Sequence, residues 1–147
     1  MNDTTMRLLR AAMLFAATGM IQVVAQLTLS RVLEILPHPR QTLLPTFYML
    51  AHSVVAVLVL MAGHMIQVTL WALLYHFDFD EFHRFGTALY FSLANFTTAG
   101  ASGLVLPTTH RMIGALESAA GMLMFGWSTA LLVRVVQRTD ASGKEDY

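Results

Sequence analysis

Three long stretches of the chain carry almost no charged residues, and they predict the spanning helices of an all-α membrane protein. Residues 11–30 and 46–75 contain no Asp, Glu, Lys or Arg, and residues 112–133 contain only Glu117. A helix that crosses a bilayer needs about 20 mostly apolar residues, at a rise of about 1.5 Å each. Each stretch is therefore long enough to cross a membrane once.

A fourth uncharged segment, residues 85–110, has a different pattern. Only residues 87–98 are typical of a helix, and the small residues Ala-Gly-Ala-Ser-Gly follow at 99–103. A helix of that length reaches about 18 Å, which is less than the bilayer core of about 30 Å. Irregular backbone at membrane depth is tolerated only where it is buried in protein or lines water. The segment therefore predicts a re-entrant helix and loop.

Polar and proline-containing segments separate these elements and set the expected domains. Three prolines lie between residues 31 and 45, and proline disfavours helix at the residue before it. We therefore expect an extra N-terminal spanning helix with its connector at 1–45. A second unit at 46–138 contains an outer helix, the short helix, the loop and an inner helix. The polar tail, 139–147, is predicted to be disordered.

The overall composition agrees with a membrane protein and excludes several classes of function. Hydrophobic residues make up 56% of the 147 residues and charged residues 12%, against roughly 25% charged in soluble domains. The net charge is zero, so no basic surface indicates nucleic-acid binding. The chain has no cysteine. Because it also has no triad of Ser, His and Asp, we expect neither an enzyme nor a bound cofactor.

Short motifs surround the re-entrant segment. Ala-Leu-Tyr-Phe-Ser-Leu at 88–93 is followed by Phe-Thr-Thr-Ala-Gly at 96–100, and Pro107 comes after them. Trp-Ala-Leu-Leu-Tyr at 71–75 precedes these motifs, and Phe-Gly-Trp-Ser-Thr-Ala-Leu-Leu at 125–132 follows them. Together they resemble the pore helix, the start of the selectivity filter and the flanking helices of potassium channels. The resemblance is closest to short bacterial ion channels.

This resemblance implies a three-helix subunit with a re-entrant pore helix and filter loop, assembled in the lipid bilayer as a potassium-channel-like pore homotetramer. Permeating monovalent cations, K⁺ and Na⁺, would be its only ions. The resemblance also implies a multi-pass protein of the bacterial inner membrane, with the C-terminus in the cytoplasm and the N-terminus outside. Charge does not decide this orientation, because Lys and Arg divide five to four between the two sides.

The filter loop departs from the family sequence in its outer half. The family has Thr-Val-Gly-Tyr-Gly-Asp, whereas this chain has, after Thr97, the residues Thr98, Ala99, Gly100, Ala101, Ser102 and Gly103. In the family, backbone carbonyl groups of these filter residues replace the hydration shell of the ion. Ala101 cannot pack as tyrosine does, Ser102 resists the backbone that glycine allows, and Gly103 lacks a carboxylate. The resemblance therefore implies an ion pathway along residues 97–103 with weak potassium selectivity.

Two residues of the last long helix have predicted roles in the pore. Glu117 is a carboxyl group within a membrane segment, and such groups are functional candidates by default. It either supports the filter from behind, by accepting hydrogen bonds from the loop, or reaches the membrane interface. Gly121 matches a family glycine and is either a gating hinge or a small residue for close helix packing.

Polar residues also form stripes on the first two helices. Gln22 and Gln26 lie one turn apart on the first helix, and His64 and Gln67 share a face of the second. Polar side chains link helices in membranes, so we expect Gln67 to pair with Gln22 or Gln26. The same face predicts a helix contact for His64 rather than metal or haem ligation. Aromatic residues near both ends of the second helix are expected in the aromatic belts: Tyr48, Trp71 and Tyr75.

Two functions from different classes are open at this point. The first is a cation channel with an altered, weakly selective filter. The alternative is a non-conducting membrane protein that keeps the pore scaffold and acts as a regulatory or structural subunit, because a fold does not by itself fix a function. Ion flux through the purified protein separates the two.

Overall fold

The computed structural model describes residues 3–35, 45–101 and 103–144. Its helices are α1 (Asp3–Ile35), α2 (Pro45–Asp78), α3 (Phe85–Phe96) and α4 (Arg111–Lys144). Single turns of 3-10 helix at Asp80–Phe82 and Thr108–His110 lead into α3 and α4. Most of the predicted connector before α2, residues 36–44, lies outside the described residues.

Three of these helices are long and apolar enough to cross a membrane, over Thr4–Ile35, Met49–Asp78 and Arg111–Gln137. The helices α1, α2 and α4 have 33, 34 and 34 residues. At about 1.5 Å per residue each is about 50 Å long, so each exceeds the bilayer core and must tilt or project into water. The predicted all-α membrane fold with three spanning helices is confirmed.

The helix α4 continues beyond the point where the sequence predicts a disordered tail. Its backbone is helical to Lys144, which differs from the disorder predicted for residues 139–147. Extending an existing helix adds a hydrogen bond for each residue without a new nucleation step. The polar composition, on which the prediction of disorder rests, does not reflect this favourable contribution. Residues 145–147 lie outside the described residues.

The helices α1 and α2 run antiparallel, and an ion pair joins them at one end. Nη1 of Arg10 lies 2.5 Å from Oδ1 of Asp78, and the guanidinium of Arg7 lies 4.9 Å from the centre of the Phe79 ring. The opposite ends of the spanning helices share a small apolar cluster of Leu29, Ala56, Leu60, Leu131 and Val135. The start of α1 is therefore on the same side of the bundle as the loop that leads to α3.

That loop is acidic outside and aromatic inside. Asp80 and Glu81 are exposed, whereas Phe79 and Phe82 are 4% and 1% exposed. The rings of Tyr75 and Phe82 have centres 5.7 Å apart. These buried rings fix the place where the chain turns into α3.

The larger apolar cluster lies where α3 packs between α2 and α4. Its wholly buried large side chains include Trp71, Tyr75, Phe82, Phe96 and Ile113. The expectation that Trp71 and Tyr75 face the membrane interface is wrong, because both side chains are 0% exposed. The hydroxyl of Tyr75 points into the bundle because a buried acceptor lies there.

Candidate ion-pathway site

The short helix α3 ends at Phe96 in a tight turn centred on Thr98. Thr98 has a φ of 59°, in the left-handed region that few residues other than glycine adopt. The N–H of Thr98 donates to the carbonyl oxygen of Asn95 at 2.9 Å, as in a Schellman-type helix end. The backbone at Thr98 therefore closes the end of α3 and is not extended.

The carbonyl groups of the last turn of α3 have donors within the same turn and loop. The hydroxyl of Thr97 donates to the carbonyl oxygen of Leu93 at 2.7 Å. The N–H of Gly100 donates to the carbonyl oxygen of Ala94 at 3.1 Å. These bonds satisfy carbonyls that a helix end otherwise leaves without intrahelical partners. They also hold the loop against the end of α3.

The loop residues differ in exposure. The exposed members are Thr97, Thr98, Ala99, Gly100 and Gly103. Ala101 is partly buried against the larger apolar cluster, at the position where the family sequence has tyrosine. Gly103 has a φ of 79°, so this departure from the family also supplies a residue that adopts the left-handed region without strain. Ser102 lies outside the described residues.

A buried hydrogen-bond network behind the loop joins α2, α3 and α4. The hydroxyl of Tyr75 donates to Oε2 of Glu117 at 2.6 Å, and Oγ of Ser92 lies 2.5 Å from Oε1 of Glu117. Oγ of Ser92 also lies 2.8 Å from the carbonyl oxygen of Val68. The single Ser92 proton is shared between these two acceptors. All three side chains, those of Tyr75, Ser92 and Glu117, are 0% exposed.

Glu117 therefore lies inside the protein and not at the membrane interface. Its donors differ from those the sequence predicts: the hydrogen bonds come from Tyr75 of α2 and Ser92 of α3, and not from the loop backbone. Glu117 thus contacts the body of the pore helix, one turn before its end. Its support of the filter itself stays a prediction.

Gly121 lies where α4 approaches the end of α3 most closely. A Cβ atom built on Gly121 would lie 2.0 Å from the carbonyl oxygen of Phe96 and 2.8 Å from its carbonyl carbon. No side chain larger than hydrogen fits there without movement of the backbone. One turn earlier, the hydroxyl of Ser118 donates to the carbonyl oxygen of Asn95 at 2.9 Å. This packing accounts for a glycine at 121, and a hinge at this position stays a prediction.

A second buried network joins α1 to the rest of the bundle. Nε2 of Gln22 donates to Oγ of Ser128 at 2.9 Å, and Nε2 of Gln67 donates to Oε1 of Gln22 at 3.2 Å. His64 lies 3.1 Å from Oε1 of Gln67 through Nδ1 and 3.0 Å from Oγ of Ser128 through Nε2. Because an amide oxygen only accepts, Nδ1 of His64 is assigned as the donor, and Nε2 then accepts from Ser128. The four side chains thus form a closed ring of hydrogen bonds, in which each side chain donates to the next.

The ring confirms the predicted pairing of Gln67 with Gln22, and it confirms His64 as a helix contact. Gln26 has a separate partner, since its Oε1 accepts from Nε1 of Trp127 at 3.0 Å. The ring of His64 also packs edge-on against Phe125 of α4, with ring centres 5.0 Å apart. The extra helix α1 is thus linked by hydrogen bonds to α2 and α4.

Tyr75 and Ser92 are the functional candidates that the sequence did not indicate. The sequence shows Ser92 only as one residue of a motif, and it predicts an interfacial position for Tyr75. Their spacing from Glu117 along the chain is 42 and 25 residues, so no helical periodicity relates them. A buried carboxyl group needs hydrogen-bond donors, and that requirement is the signal that directs attention to hydroxyl groups on the neighbouring helices.

The comparison with known protein families agrees with this arrangement. A family model described as "Ion channel" matches residues 54–138, which is more than half of the 147-residue chain. The matched region covers most of α2, all of α3 and the loop, and most of α4. No curated protein and no solved structure matches the chain. The chain therefore belongs to the ion-channel family with a potassium-channel-like pore domain, which is not an enzyme family.

Proposed function

We propose that this protein is a homotetrameric channel for monovalent cations with weak selectivity between K⁺ and Na⁺. The observation that carries the proposal is the placement of the exposed loop at residues 97–100 at the end of a helix too short to cross the membrane. Irregular polar backbone at that depth must line water or contact protein. One loop cannot surround an ion, so closed rotational symmetry is needed, and the family supplies the number four.

The electrostatics of α3 favour a cation at its end. The C-terminus of a helix carries a partial negative charge of about half an elementary charge, and α3 directs that end toward Thr97 and Thr98. In the family orientation the loop enters from outside a bacterial inner membrane. The N-terminus is then outside, because α1 begins on the same side as the loop that leads to α3. The C-terminus is cytoplasmic, because α4 crosses to the opposite side.

The expected selectivity follows from the three outer filter positions. Potassium preference depends on several consecutive, dehydrated carbonyl sites. Ala101 provides no aromatic support, Ser102 replaces a permissive glycine, and Gly103 provides no ring of carboxylates. The outer vestibule should therefore hold a hydrated ion and pass Na⁺ about as well as K⁺.

A bi-ionic reversal-potential measurement on the reconstituted protein tests this proposal. We expect a reversal potential near zero with K⁺ on one side and Na⁺ on the other. A potassium preference above about 100-fold, equivalent to about 2.7 kcal/mol, would contradict weak selectivity. The triple substitution Ala101→Tyr, Ser102→Gly and Gly103→Asp should raise the preference for potassium. No change in selectivity from that variant would show that this loop is not the filter.

One observation favours the alternative of a non-conducting pore scaffold. The left-handed backbone of Thr98 and the bond from Gly100 to Ala94 belong to a closed helix end and not to an extended strip. Proteoliposome flux decides between the two functions. Cation flux above that of empty vesicles supports the channel, and its absence at every voltage and pH supports a regulatory or structural subunit. A stable monomer in several mild detergents and in lipid would contradict the tetramer.

A further inference from the structure

A groove lies between α1 and α2, on the side of the bundle where α1 begins. It has a volume of about 420 Å³, and apolar side chains, among them Met13, Leu14, Leu70 and Leu74, form its walls. Along α1 it extends from Arg10 to Ala17, which is about 10 Å at a rise of about 1.5 Å per residue. The groove is thus apolar along its length and polar at one end.

The polar end holds one positive and one negative group. Nη1 of Arg10 contacts Oδ1 of Asp78 at 2.5 Å, and the Arg10 side chain is 51% exposed. A guanidinium has five N–H donors in a planar fork that suits phosphate. Arg10 therefore has donors left to bind a phosphate group at the mouth of the groove.

Asp78 supplies a second, independent indication of a ligand. Its side chain is only 9% exposed, and among the described residues its Oδ2 has no hydrogen-bond partner. A buried carboxylate oxygen without a donor is costly. Asp78 lines the groove. Oδ2 itself is buried, so the carboxylate must turn about its Cβ–Cγ bond for a donor that enters with a ligand to satisfy this oxygen.

We propose that this groove binds one phospholipid whose headgroup carries a primary ammonium, as in phosphatidylethanolamine. The phosphate binds Arg10, the ammonium donates to Oδ2 of Asp78, and an acyl chain lies along the apolar walls. The neighbouring positive and negative groups of the protein complement the neighbouring phosphate and ammonium of this headgroup. The quaternary ammonium of phosphatidylcholine has no N–H to donate to Asp78. The headgroup of phosphatidylglycerol has no positive charge to pair with the carboxylate of Asp78. This inference does not depend on ion conduction.

Native mass spectrometry of the full-length protein, with phosphatidylethanolamine, phosphatidylcholine and phosphatidylglycerol of identical acyl chains, tests the proposal. We expect the ethanolamine lipid to bind about tenfold more tightly than the choline lipid, as a hydrogen bond to a charged group would give. Asp78→Ala should reduce that ratio to near one. Glu34→Ala is the matched control, because Glu34 pairs with Arg31 at the other end of α1 with both side chains exposed, and it should leave the ratio unchanged.

Two further variants keep the test decisive if Asp78→Ala is unstable. Ala17→Phe fills the groove without changing Arg10 or Asp78, and it should weaken retention of the ethanolamine lipid at least about tenfold. Ala17→Cys introduces the only cysteine of the chain, so a disulfide between two chains in the membrane would show a second copy on this face. Equal binding of the three lipids, preference for the glycerol lipid, or that cross-link would each overturn the proposal.

Discussion

Among the described residues, two buried hydrogen-bond networks join the helices of this bundle, and they differ in their chemical groups and in the helices that they join. The first joins α2, α3 and α4 through the carboxyl group of Glu117. The second joins α1, α2 and α4 through amides, a hydroxyl and the imidazole of His64. In the first network the Tyr75 hydroxyl has one acceptor among the described residues, the carboxyl group of Glu117. In the second, Nε2 of Gln67 has two acceptors, Oε1 of Gln22 and the carbonyl oxygen of Thr18. The Tyr75 hydroxyl thus depends on a single carboxyl group, whereas the Gln67 amide that contacts α1 keeps a second acceptor if Gln22 is lost.

Removal of the carboxyl group should have the largest effect. Glu117→Ala leaves the buried Tyr75 hydroxyl without its acceptor, and it opens a cavity in a site that is 0% exposed. We expect a loss of about 3 kcal/mol in the free energy of unfolding, measured by denaturant-induced unfolding in mixed micelles. Unchanged stability of this variant would show that the network does not hold α3.

A double substitution separates the lost hydrogen bonds from lost packing. Glu117→Leu keeps most of the side-chain volume, and Tyr75→Phe removes the hydroxyl that would lack an acceptor. Replacing both partners by apolar groups of similar shape is often nearly neutral. The double variant should therefore be more stable than Glu117→Leu alone. If it is less stable than that single variant, the polar pair is not the reason for the effect.

Gly121→Ala should have the next largest effect, because the new methyl carbon would lie 2.0 Å from the carbonyl oxygen of Phe96. Backbone movement of α3 or α4 is required, and overpacking of this kind costs about 1–3 kcal/mol. Gly126→Ala is the matched control on the same helix. No heavy atom of the described residues, outside its own helix backbone and neighbours, lies within 4 Å of its Cβ position. We expect this control to be neutral or stabilising by up to about 1 kcal/mol, and equal losses in the two variants would contradict the close approach.

The sequence predicted the elements well and the partners only in part. Charge gaps placed a short helix at 87–98, and the structure has it at Phe85–Phe96. Helical periodicity predicted the pairing of Gln22 with Gln67. Each of them shares a helix face with a second polar residue, and a polar stripe in a membrane helix needs polar partners on a neighbouring helix. The contacts of Glu117 depend on how three helices cross. No spacing along the chain encodes that crossing, so Tyr75 and Ser92 emerged only from the structure. The left-handed Thr98 was also missed, because threonine is not a residue that indicates positive φ.

A double-mutant cycle on Gln22 and Gln67 measures the second network. Gln22→Leu and Gln67→Leu should each destabilise the protein less than Glu117→Ala, because the remaining members of the ring keep other partners. We expect a coupling energy of about 0.6 kcal/mol, the average for such bonds in membrane helices, and no more than about 1.7 kcal/mol. Thr129→Val is the control, since the bond that its hydroxyl makes among the described residues stays within α4, to the carbonyl oxygen of Phe125. A coupling energy larger than the whole effect of Glu117→Ala would reverse the comparison.

The smallest effect is expected at the exposed edge of the contact between α1 and α4. Trp127 is 40% exposed and donates to Oε1 of Gln26 at 3.0 Å. Trp127→Phe removes this bond and some surface contact, and we expect a loss of about 0.5 kcal/mol, since polar bonds between membrane helices average about that value. Trp71→Phe makes the same change at a wholly buried site, where the indole donates to Oγ1 of Thr18 at 3.2 Å. Trp71→Phe also leaves a cavity, so it should be clearly more destabilising. If both variants lose the same stability in one unfolding assay, the exposed contact of Trp127 with Gln26 holds α1 as firmly as the buried contact of Trp71 with Thr18.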